Sequence, residues 1–278
     1  MKMGVLVQIN NIEEMRGKFQ NLVDMGFDSC QLCCWLPQLF TDENAATLKA
    51  LIEEFGLEIS AFWCGWEGRA VWDFYEGPTT LGLLPEEFRE VRVKNLCDGS
   101  DFAKKLGVVN VATHMGFIPE NPNDPAFPGL CDAIRVVAEH TKANGQYLLF
   151  ETGQETPVAM LRCFEVVGTD NLAVNLDTAN LILYGKANPV DALDVIGKYV
   201  RNIHAKDGRY PTNGHDLGEE VRLGDGKVDF KAVFAGLKAL GYDAYVTIER
   251  EIDGDKQIED IKHAKAYLEG ILAEVYGE

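Results

Sequence analysis

The sequence has no long uninterrupted hydrophobic segment. Nowhere do about 18 apolar residues follow one another without a charge, as a membrane-spanning helix requires. The opening MKMGVLVQIN also lacks the basic segment followed by a long apolar run that marks a secretory signal peptide. We therefore expect a cytoplasmic protein that has no membrane partner.

Positive charge is scarce. The chain has 26 lysine and arginine residues against 44 aspartate and glutamate residues, so its formal net charge is -18. Such a protein repels a phosphate backbone unless its basic residues cluster on one face, and the sequence shows no such cluster. We therefore expect no nucleic-acid partner.

The cysteines do not form the framework of a secreted disulfide protein. There are seven, an odd number, and most lie inside apolar segments. Cys30, Cys33 and Cys34 have the CxxC spacing of redox and zinc sites, but no second CxxC or nearby histidine completes a four-ligand site. We predict buried structural thiols at these positions.

The 278 residues, 46% of them hydrophobic, are enough for one large domain, and we expect residues 1–278 to form a single domain. Short apolar segments alternate with amphipathic ones throughout, the pattern of repeated strand and helix units around a parallel sheet. The strand candidates are GVLVQI from Gly4, DSCQLC from Asp28, EISAFW from Glu58, VVNVAT from Val108, QYLLFE from Gln146, LAVNLD from Leu172, VRNIHA from Val200 and AYVTIE from Ala244. These eight units, with no GxGxxG after the first strand, favour an α/β fold of the (β/α)8 TIM barrel type over a doubly wound open sheet.

Two connections are longer than packing requires. CGWEGRAVWDFYEGPTTLGLLP begins at Cys64 after the third strand, and KDGRYPTNGHDLGEEVRLGDGKV begins at Lys206 after the seventh. In a barrel, both loops would lie on the face formed by the carboxyl ends of the strands, where substrate sites are built. We expect them to be functional loops.

Four chemically active residues stand at or near the ends of the last four strands. They are Glu151, Asp177, His204 and Glu249. Neighbouring strands would aim them at one point, where three carboxylates would repel one another unless a cation neutralised them. Taken singly, Asp177 could cap a helix, His204 could be a buried core histidine, and the glutamates could pair with arginines. Their coincidence at equivalent positions favours one shared divalent metal ion.

Three further residues stand near strand ends. His114 closes the fourth strand, where it could orient a substrate hydroxyl or cap the following loop, and we favour the first role. Trp63 and Trp35, near the ends of the third and second strands, could form an apolar wall against a sugar or could simply pack in the barrel.

Several segments resemble the sugar phosphate isomerase/epimerase family of xylose isomerase-like barrels. They are FETGQET from Phe150, NLDTANL from Asn175, NIHAKDG from Asn202, LGDGKVDF from Leu223 and TIERE from Thr247. The resemblance implies that Glu151, Asp177, His204 and Glu249 bind one divalent ion, Mn²⁺ first and Mg²⁺, Co²⁺ or Zn²⁺ as alternatives. It also implies a role in carbohydrate metabolism with a small sugar or sugar phosphate as the substrate, and a homo-oligomer remains open.

The chemistry implied by the resemblance is proton transfer next to a carbonyl. A metal chelated by a ketose carbonyl and its neighbouring hydroxyl acidifies the adjacent C–H bond and stabilises the enediolate. Glu151 and Glu249 would be the catalytic acid/base pair. Return of the proton to the same carbon gives an epimerase, and its return to the adjacent carbon gives an aldose-ketose isomerase.

The resemblance also suggests residues around the substrate. Glu155 is expected to contact a substrate hydroxyl or to support the metal ligands from behind. Lys206 and Asp207 are expected to frame the site, and Arg209 to contact a substrate oxygen or phosphate, although each could instead be a solvated loop charge. Arg222 and Arg250 are further candidates for a phosphate contact. Many ketose 3-epimerases have a histidine three residues after the metal aspartate, whereas this sequence has Asn180.

Three alternative functions remain open. An inosose-type dehydratase would begin with the same proton removal and then expel a hydroxyl. A DNA repair endonuclease of this fold would need many more histidines than the five present, and it conflicts with the acidic charge. The intact set of four ligands argues against an inactive sugar-binding barrel.

Overall fold

The computed structural model describes residues 1–277, and its centre is a closed barrel of eight parallel strands. The strands of the chain are β1 Lys2–Gln8, β2 Ser29–Cys34, β3 Glu58–Cys64, β4 Asn110–Thr113, β5 Tyr147–Glu151, β6 Leu172–Asp177, β7 Val200–Ala205, β8 Asp207–Arg209, β9 Glu219–Val221 and β10 Tyr245–Ile248. Strands β1 to β7 follow one another around the barrel, and β10 closes it between β7 and β1. The predicted (β/α)8 barrel is thereby confirmed, with every predicted strand in place.

Eight helices of eight or more residues alternate with the barrel strands. The helices are α1 Met15–Asp24, α2 Asp42–Phe55, α3 Gly77–Thr80, α4 Glu86–Lys105, α5 Ala126–Ala143, α6 Pro157–Val167, α7 Asn180–Leu183, α8 Pro189–Ile196, α9 Phe230–Ala239 and α10 Asp255–Tyr276. The single-turn helices α3 and α7 lie in loops after β3 and β6. Among residues 1–277, no helix is both long and apolar enough to cross a membrane.

Burial on both faces of the barrel strands explains their apolar sequences. All six residues of β2, SCQLCC, are buried because helices cover the outside of the barrel and side chains fill its inside. Cys30, Cys33 and Cys34 are free buried thiols, as predicted. Burial raises the pKa of Cys30 to about 12, so this thiol stays protonated near neutral pH.

The loop after β3 is held against the end of β4 by two close backbone contacts. Gly82 and Gly116 have φ angles of 67° and 89°, in the left-handed region that favours glycine. A Cβ atom on Gly82 would come within 2.0 Å of the Met115 carbonyl carbon, so a larger residue cannot fit there. The approach is fixed by a 3.0 Å hydrogen bond from the Leu83 N–H to the Met115 carbonyl.

The loop after β7 contains an antiparallel hairpin, β8 paired with β9, that the sequence did not predict. Asp207 organises its base, because its buried carboxylate accepts hydrogen bonds from the backbone N–H groups of Gly208, Gly224, Gly226 and Val228 at 2.8–3.1 Å. Asp207 therefore shapes this loop, which lies on the carboxyl face of the barrel.

The two long loops contact each other through Tyr75 and His215. The Tyr75 hydroxyl lies 2.6 Å from His215 Nδ1, and the two rings stack with centroids 5.5 Å apart. Trp72 and Leu217, on the same two loops, both line the cavity beside them. The Tyr75–His215 contact therefore joins two loops that each contribute a side chain to this cavity.

Candidate metal centre

Four side chains from successive barrel strands converge above the barrel. Glu151, Asp177, His204 and Glu249 each offer one ligand atom, and these atoms all lie within 4.8 Å of one another. His204 Nδ1 is 3.3 Å from Glu151 Oε1, 3.6 Å from Asp177 Oδ2 and 3.1 Å from Glu249 Oε2. All four residues are buried. The structure brings together the four residues that the sequence suggested.

The parallel register of the strands accounts for the convergence. Asp177 and His204 are direct partners across β6 and β7, at the carboxyl ends of both strands. Glu249 follows β10, and its N–H donates to the Ala205 carbonyl at the end of β7. Because parallel strands of a barrel end on the same face, their final side chains meet there.

The imidazole of His204 is oriented by a contact from the other side of the barrel. Its Nε2 donates a hydrogen bond to the side-chain oxygen of Gln31, which is fully buried on β2. A neutral imidazole that donates from Nε2 keeps the Nδ1 lone pair available. Gln31 therefore selects the tautomer in which Nδ1 faces the three carboxylates.

Two of the carboxylates have one oxygen occupied and one directed at the centre. Asp177 Oδ1 accepts from the N–H groups of Ala179 at 2.8 Å and Asn180 at 2.7 Å, which leaves Oδ2 for the centre. Glu151 Oε2 accepts from the indole N–H of Trp63, and its Oε1 faces His204. The capping role considered for Asp177 is thus compatible with a ligand role, because each uses a different oxygen.

The centre fits a divalent cation. Asp177 Oδ2, His204 Nδ1 and Glu249 Oε2 are buried and make no hydrogen bond of normal geometry within the described chain. Their charged neighbours are one another, Glu151 Oε1 and the Lys206 ammonium. Buried polar atoms without a partner are costly and call for an explanation, such as a bound ion. Carboxylate oxygens with one imidazole nitrogen are ligands suited to Mn²⁺, Mg²⁺, Co²⁺ or Zn²⁺.

Without a cation, the titratable residues of the centre strongly influence one another's pKa values. Burial raises the pKa of Asp177 to about 7. Burial also opposes ionisation of Glu151, but His204 and His114 outweigh it and lower its pKa. In His204 burial works against protonation, yet Glu151 and Glu249 hold its pKa well above the usual range. A cation at the centre would replace that proton.

Lys206 is a buried positive charge at the edge of this group. Its Nζ lies 3.2 Å from Glu249 Oε2, 3.8 Å from Asp177 Oδ2 and 2.6 Å from Glu251 Oε2. It also donates to Asn180 Oδ1 at 3.4 Å. Burial would lower the pKa of Lys206, but Glu249 and the other acids hold it well above the usual value. Lys206 therefore stays protonated and compensates part of the acidic charge.

A cavity of about 310 Å³ opens above the centre. Three tryptophans line it, and the Trp35 ring centroid lies 4.6 Å from that of Trp63 and 6.0 Å from that of Trp72. The remaining lining residues are Leu6, Gln8, Cys33, His114, Glu151, Gln154, Asn180, Leu183, Tyr184, Leu217, Glu249 and Glu251. The cavity thus combines an aromatic surface with polar groups and carboxylates, a composition suited to a small polar molecule.

His114 lies in this cavity, as the sequence suggested. Its Nε2 is 3.5 Å from Glu151 Oε1, and its ring packs against Trp63 and Trp72 with centroids 5.7 and 5.2 Å apart. Burial lowers the pKa of His114, so the ring is neutral near pH 7. His114 Nδ1 makes no hydrogen bond within residues 1–277.

Among the residues suggested around the substrate, Glu155, Lys206 and Arg209 lie outside the cavity lining. Glu155 is buried, neither carboxylate oxygen has a hydrogen bond of normal geometry within the described residues, and burial raises its pKa to about 8. Arg209, on β8, is half-exposed, with its guanidinium 3.6 Å from the Glu219 carboxylate and donating to the Asp225 carbonyl at 3.3 Å. Glu219 on β9 and Asp225 in the turn after it therefore hold the Arg209 side chain there.

Several residues of the site were missed as contacts from the sequence, among them Gln31, Gln154 and Tyr184. Gln31 is a lone amide inside an apolar strand, which was the available signal for its role. Gln154 lies within the FETGQET segment, and Tyr184 follows α7. Nothing in the sequence around Tyr184 distinguishes it from a tyrosine that packs in the hydrophobic core.

A (β/α)8 barrel whose strand ends gather three carboxylates and an imidazole beneath a polar cavity defines the class of this protein. A family model described as the xylose isomerase-like TIM barrel matches residues 19–271. The chain belongs to this family, which confirms the resemblance seen in the sequence.

The similar proteins include a solved xylose isomerase domain protein from Planctomyces limnophilus, which is 31% identical, with 99% of each chain covered and a TM-score of 0.92. A solved L-ribulose 3-epimerase is 22% identical over 99% of this chain and 96% of that chain, with a TM-score of 0.76, a likeness in fold. An inosose dehydratase of Lacticaseibacillus casei is 23% identical over 170 residues, which is 54% of this chain and 56% of that protein.

Proposed function

We propose that this protein is a divalent-metal-dependent isomerase or epimerase that moves a proton at the carbon next to a sugar carbonyl. The observation that carries the proposal is the convergence of four buried ligand atoms at the base of a polar, aromatic-lined cavity. The fold similarity to a protein named L-ribulose 3-epimerase supports this class of reaction.

The cation would be held by Glu151, Asp177, His204 and Glu249, with Mn²⁺ as the first choice. When bound, a divalent ion polarises a substrate carbonyl and stabilises the negative charge that proton removal leaves. The three atoms that lack hydrogen bonds support this assignment, because an ion would satisfy all of them together.

Glu151 and Glu249 are the residues that we propose move the proton. Lys206 and His204 hold the pKa of Glu249 well below its usual value against the effect of burial, and the pKa of Glu151 is also lowered. Both carboxylates are therefore ionised at neutral pH and able to accept a proton. The Trp63 indole N–H binds Glu151 Oε2 and fixes the direction in which Oε1 points.

We further propose that the substrate is a sugar without a phosphate group. Among the described residues that line the cavity there is no arginine or lysine, and the charged residues of the lining are glutamates. The arginines considered for phosphate binding have acidic partners: Arg222 lies 3.1 Å from Asp225, and Arg250 lies 2.9 Å from Glu220. A phosphate would therefore meet acidic charge and no free guanidinium in this cavity.

Deuterium uptake from heavy water tests the proposal. The Mn²⁺-loaded protein is incubated with a panel of ketoses, keto-sugars and their phosphates, and exchange at carbons next to the carbonyl is followed by NMR. We expect exchange with an unphosphorylated sugar, reduced about a hundred-fold or more in Glu151→Gln and in Glu249→Gln. The matched control is Glu139→Gln, an exposed residue, which should exchange at the wild-type rate. No exchange with any sugar would overturn the proposed reaction, and exchange with phosphates alone would overturn the proposed substrate.

Dehydration is the second candidate, favoured by the similarity to an inosose dehydratase. It would begin with the same proton removal, and the proton would then pass from the glutamate to the hydroxyl of the neighbouring carbon, which leaves as water. The buried ammonium of Lys206, 3.2 Å from Glu249, would stabilise the negative charge that passes to the departing oxygen. Mass spectrometry separates the two reactions, because an isomer keeps its mass and a dehydration product is lighter by one water.

A further inference from the structure

Two polar side chains in the cavity have no role in the proton transfer described above. Gln154 lies in the bend that follows β5 and is 1% exposed, while Tyr184 follows α7 and is 5% exposed. Both line the cavity. They are therefore buried in the protein and at the same time face space that a ligand can enter.

Neither side chain satisfies its hydrogen-bonding groups within residues 1–277. Gln154 Oε1, Gln154 Nε2 and the Tyr184 hydroxyl all lack a hydrogen bond of normal geometry. Burial raises the pKa of Tyr184, and a weak polar contact with the Gln154 side chain counters this in part. A buried amide without partners is costly in free energy, so it is retained where a ligand or bound water completes it.

The packing around these groups holds them in place. The Tyr184 ring meets Phe117 and Phe74 edge-on, with centroids 5.8 and 6.3 Å apart. The bend that carries Gln154 runs directly against α7, since a Cβ atom on Gly153 would lie 3.3 Å from Asn180 Cβ. Groups that are fixed before binding lose little freedom when a ligand arrives, which favours selective recognition.

We propose that Gln154 and Tyr184 form a hydroxyl-binding subsite that recognises the part of the sugar lying away from the metal centre, and this inference rests on the proposed function. An amide presents both an acceptor and two donors, and a phenol presents one of each. Neighbouring sugar hydroxyls also donate and accept, so the two sets are complementary. A phosphate or carboxylate offers only acceptors and would leave Gln154 Oε1 unpaired.

The subsite gives the cavity two kinds of recognition. Trp35, Trp63 and Trp72 offer flat apolar surfaces that suit the C–H groups of a sugar, with little preference among isomers. The amide and the phenol demand hydroxyls at defined positions. Sites built to hydrogen-bond a hydroxyl discriminate strongly against analogues that lack it, because their buried groups are then left unpaired. Gln154 and Tyr184 therefore determine which sugar is accepted.

The test combines variants of the subsite with deoxy analogues of the substrate. The sugar with the fastest deuterium exchange, and analogues lacking one hydroxyl each, are compared on Mn²⁺-loaded wild type, Gln154→Leu and Tyr184→Phe. We expect KM to rise about ten-fold in Gln154→Leu and about three-fold in Tyr184→Phe, with kcat changed less. For the analogue that lacks the hydroxyl bound by Gln154, KM should be higher than for the full sugar in the wild type but equal to it in Gln154→Leu. Gln38→Leu is the control and should keep the wild-type KM, since Gln38 is exposed and does not line the cavity.

The outcomes separate the subsite from the reaction. The subsite would be overturned, while the reaction would stand, by either of two results. The first is a wild-type KM in both variants, and the second is that for every analogue the effects of the substitution and of the missing hydroxyl on KM simply multiply. If no sugar exchanges deuterium, binding followed through the fluorescence of the cavity tryptophans decides the subsite alone, and a lack of binding by every free sugar overturns it. Bound manganese and thermal unfolding show whether Gln154→Leu is folded, and if it is not, Tyr184→Phe decides the question.

Discussion

The imidazole of His204, on β7, is held by the side-chain amide of Gln31, on β2, across the inside of the barrel. This contact leaves His204 Nδ1 facing Glu151, Asp177 and Glu249. The geometry of the candidate metal centre thus depends on a residue far from the four ligands in the sequence.

Gln31→Met should weaken metal binding while keeping the fold. Methionine has a similar length but cannot accept the hydrogen bond from Nε2, so the imidazole loses its fixed tautomer and orientation. Losses of such supporting contacts cost about 10–100-fold in metal affinity, and we expect a loss in this range by manganese titration. Gln146→Met is the control, because Gln146 is also buried but binds Ser100 and Val108 away from the centre. Equal manganese affinity in Gln31→Met and the wild type would refute the positioning role.

Glu155 should make stability depend on pH. Its pKa is about 8 in the folded protein against an ordinary value of 4.5, because burial penalises the charged form. Between these values the folded state binds a proton that the unfolded state releases, so the contribution is full below pH 4.5 and is lost as pH rises through about 8. Relative to Glu155→Gln, we expect the free energy of unfolding of the wild type to fall by a few kcal/mol over this pH range.

Denaturant unfolding of the Mn²⁺-loaded protein at several pH values checks this, with Glu139→Gln as the exposed control. The difference in the free energy of unfolding between wild type and Glu155→Gln should change with pH, whereas the control should follow the wild type. A constant difference across the range would show that Glu155 does not change its protonation on folding.

Lys206→Met should destabilise the metal-free protein more than the metal-loaded one. The ammonium and the cation neutralise the same acids, including Glu249 and Asp177, so either compensates in part for the loss of the other. Breaking a buried ion pair costs about 3–5 kcal/mol, and we expect a loss of this size without metal and a smaller one with Mn²⁺. Lys231→Met, which removes an exposed pair with Glu274, should have little effect in either state. If Lys206→Met lowered the free energy of unfolding equally with and without Mn²⁺, the ammonium and the cation would not compensate the same acids.

His215→Ala should weaken substrate binding without changing the metal centre. It removes the stacked contact with Tyr75 that joins the two loops bearing Trp72 and Leu217. An exposed aromatic contact contributes about 0.5–1.5 kcal/mol, so we expect KM to rise by up to about ten-fold. Manganese affinity should stay at the wild-type value. An unchanged KM would show that the contact does not shape the cavity.

The sequence predicted the barrel because each strand is a compact apolar segment, and three of the eight strand candidates end on an acidic residue. In QYLLFE and LAVNLD, the apolar residues predict a buried strand, and the acidic residue at the end departs from that pattern. Glu151 and Asp177 therefore stood out as candidate site residues.

The sequence did not predict contacts that depend on the path of the chain. The hairpin β8–β9 is short and rich in charge and glycine, a composition typical of a loop, and the pairing of Arg209 with Glu219 follows only from the register of the two strands. Glu155 was expected to face the substrate, whereas its neighbour Gln154 lines the cavity. In an irregular bend, adjacent side chains point in different directions, and no periodic pattern shows which one faces the ligand.

The metal content of the purified chain tests the central claim most directly. After loading with Mn²⁺ and extensive dialysis, elemental analysis should find one ion per wild-type chain and almost none in Asp177→Asn. That substitution retains an oxygen to accept the hydrogen bonds from the Ala179 and Asn180 N–H groups and replaces the carboxylate oxygen that faces His204. A wild-type chain without metal, or an Asp177→Asn chain with as much metal as the wild type, would contradict the account.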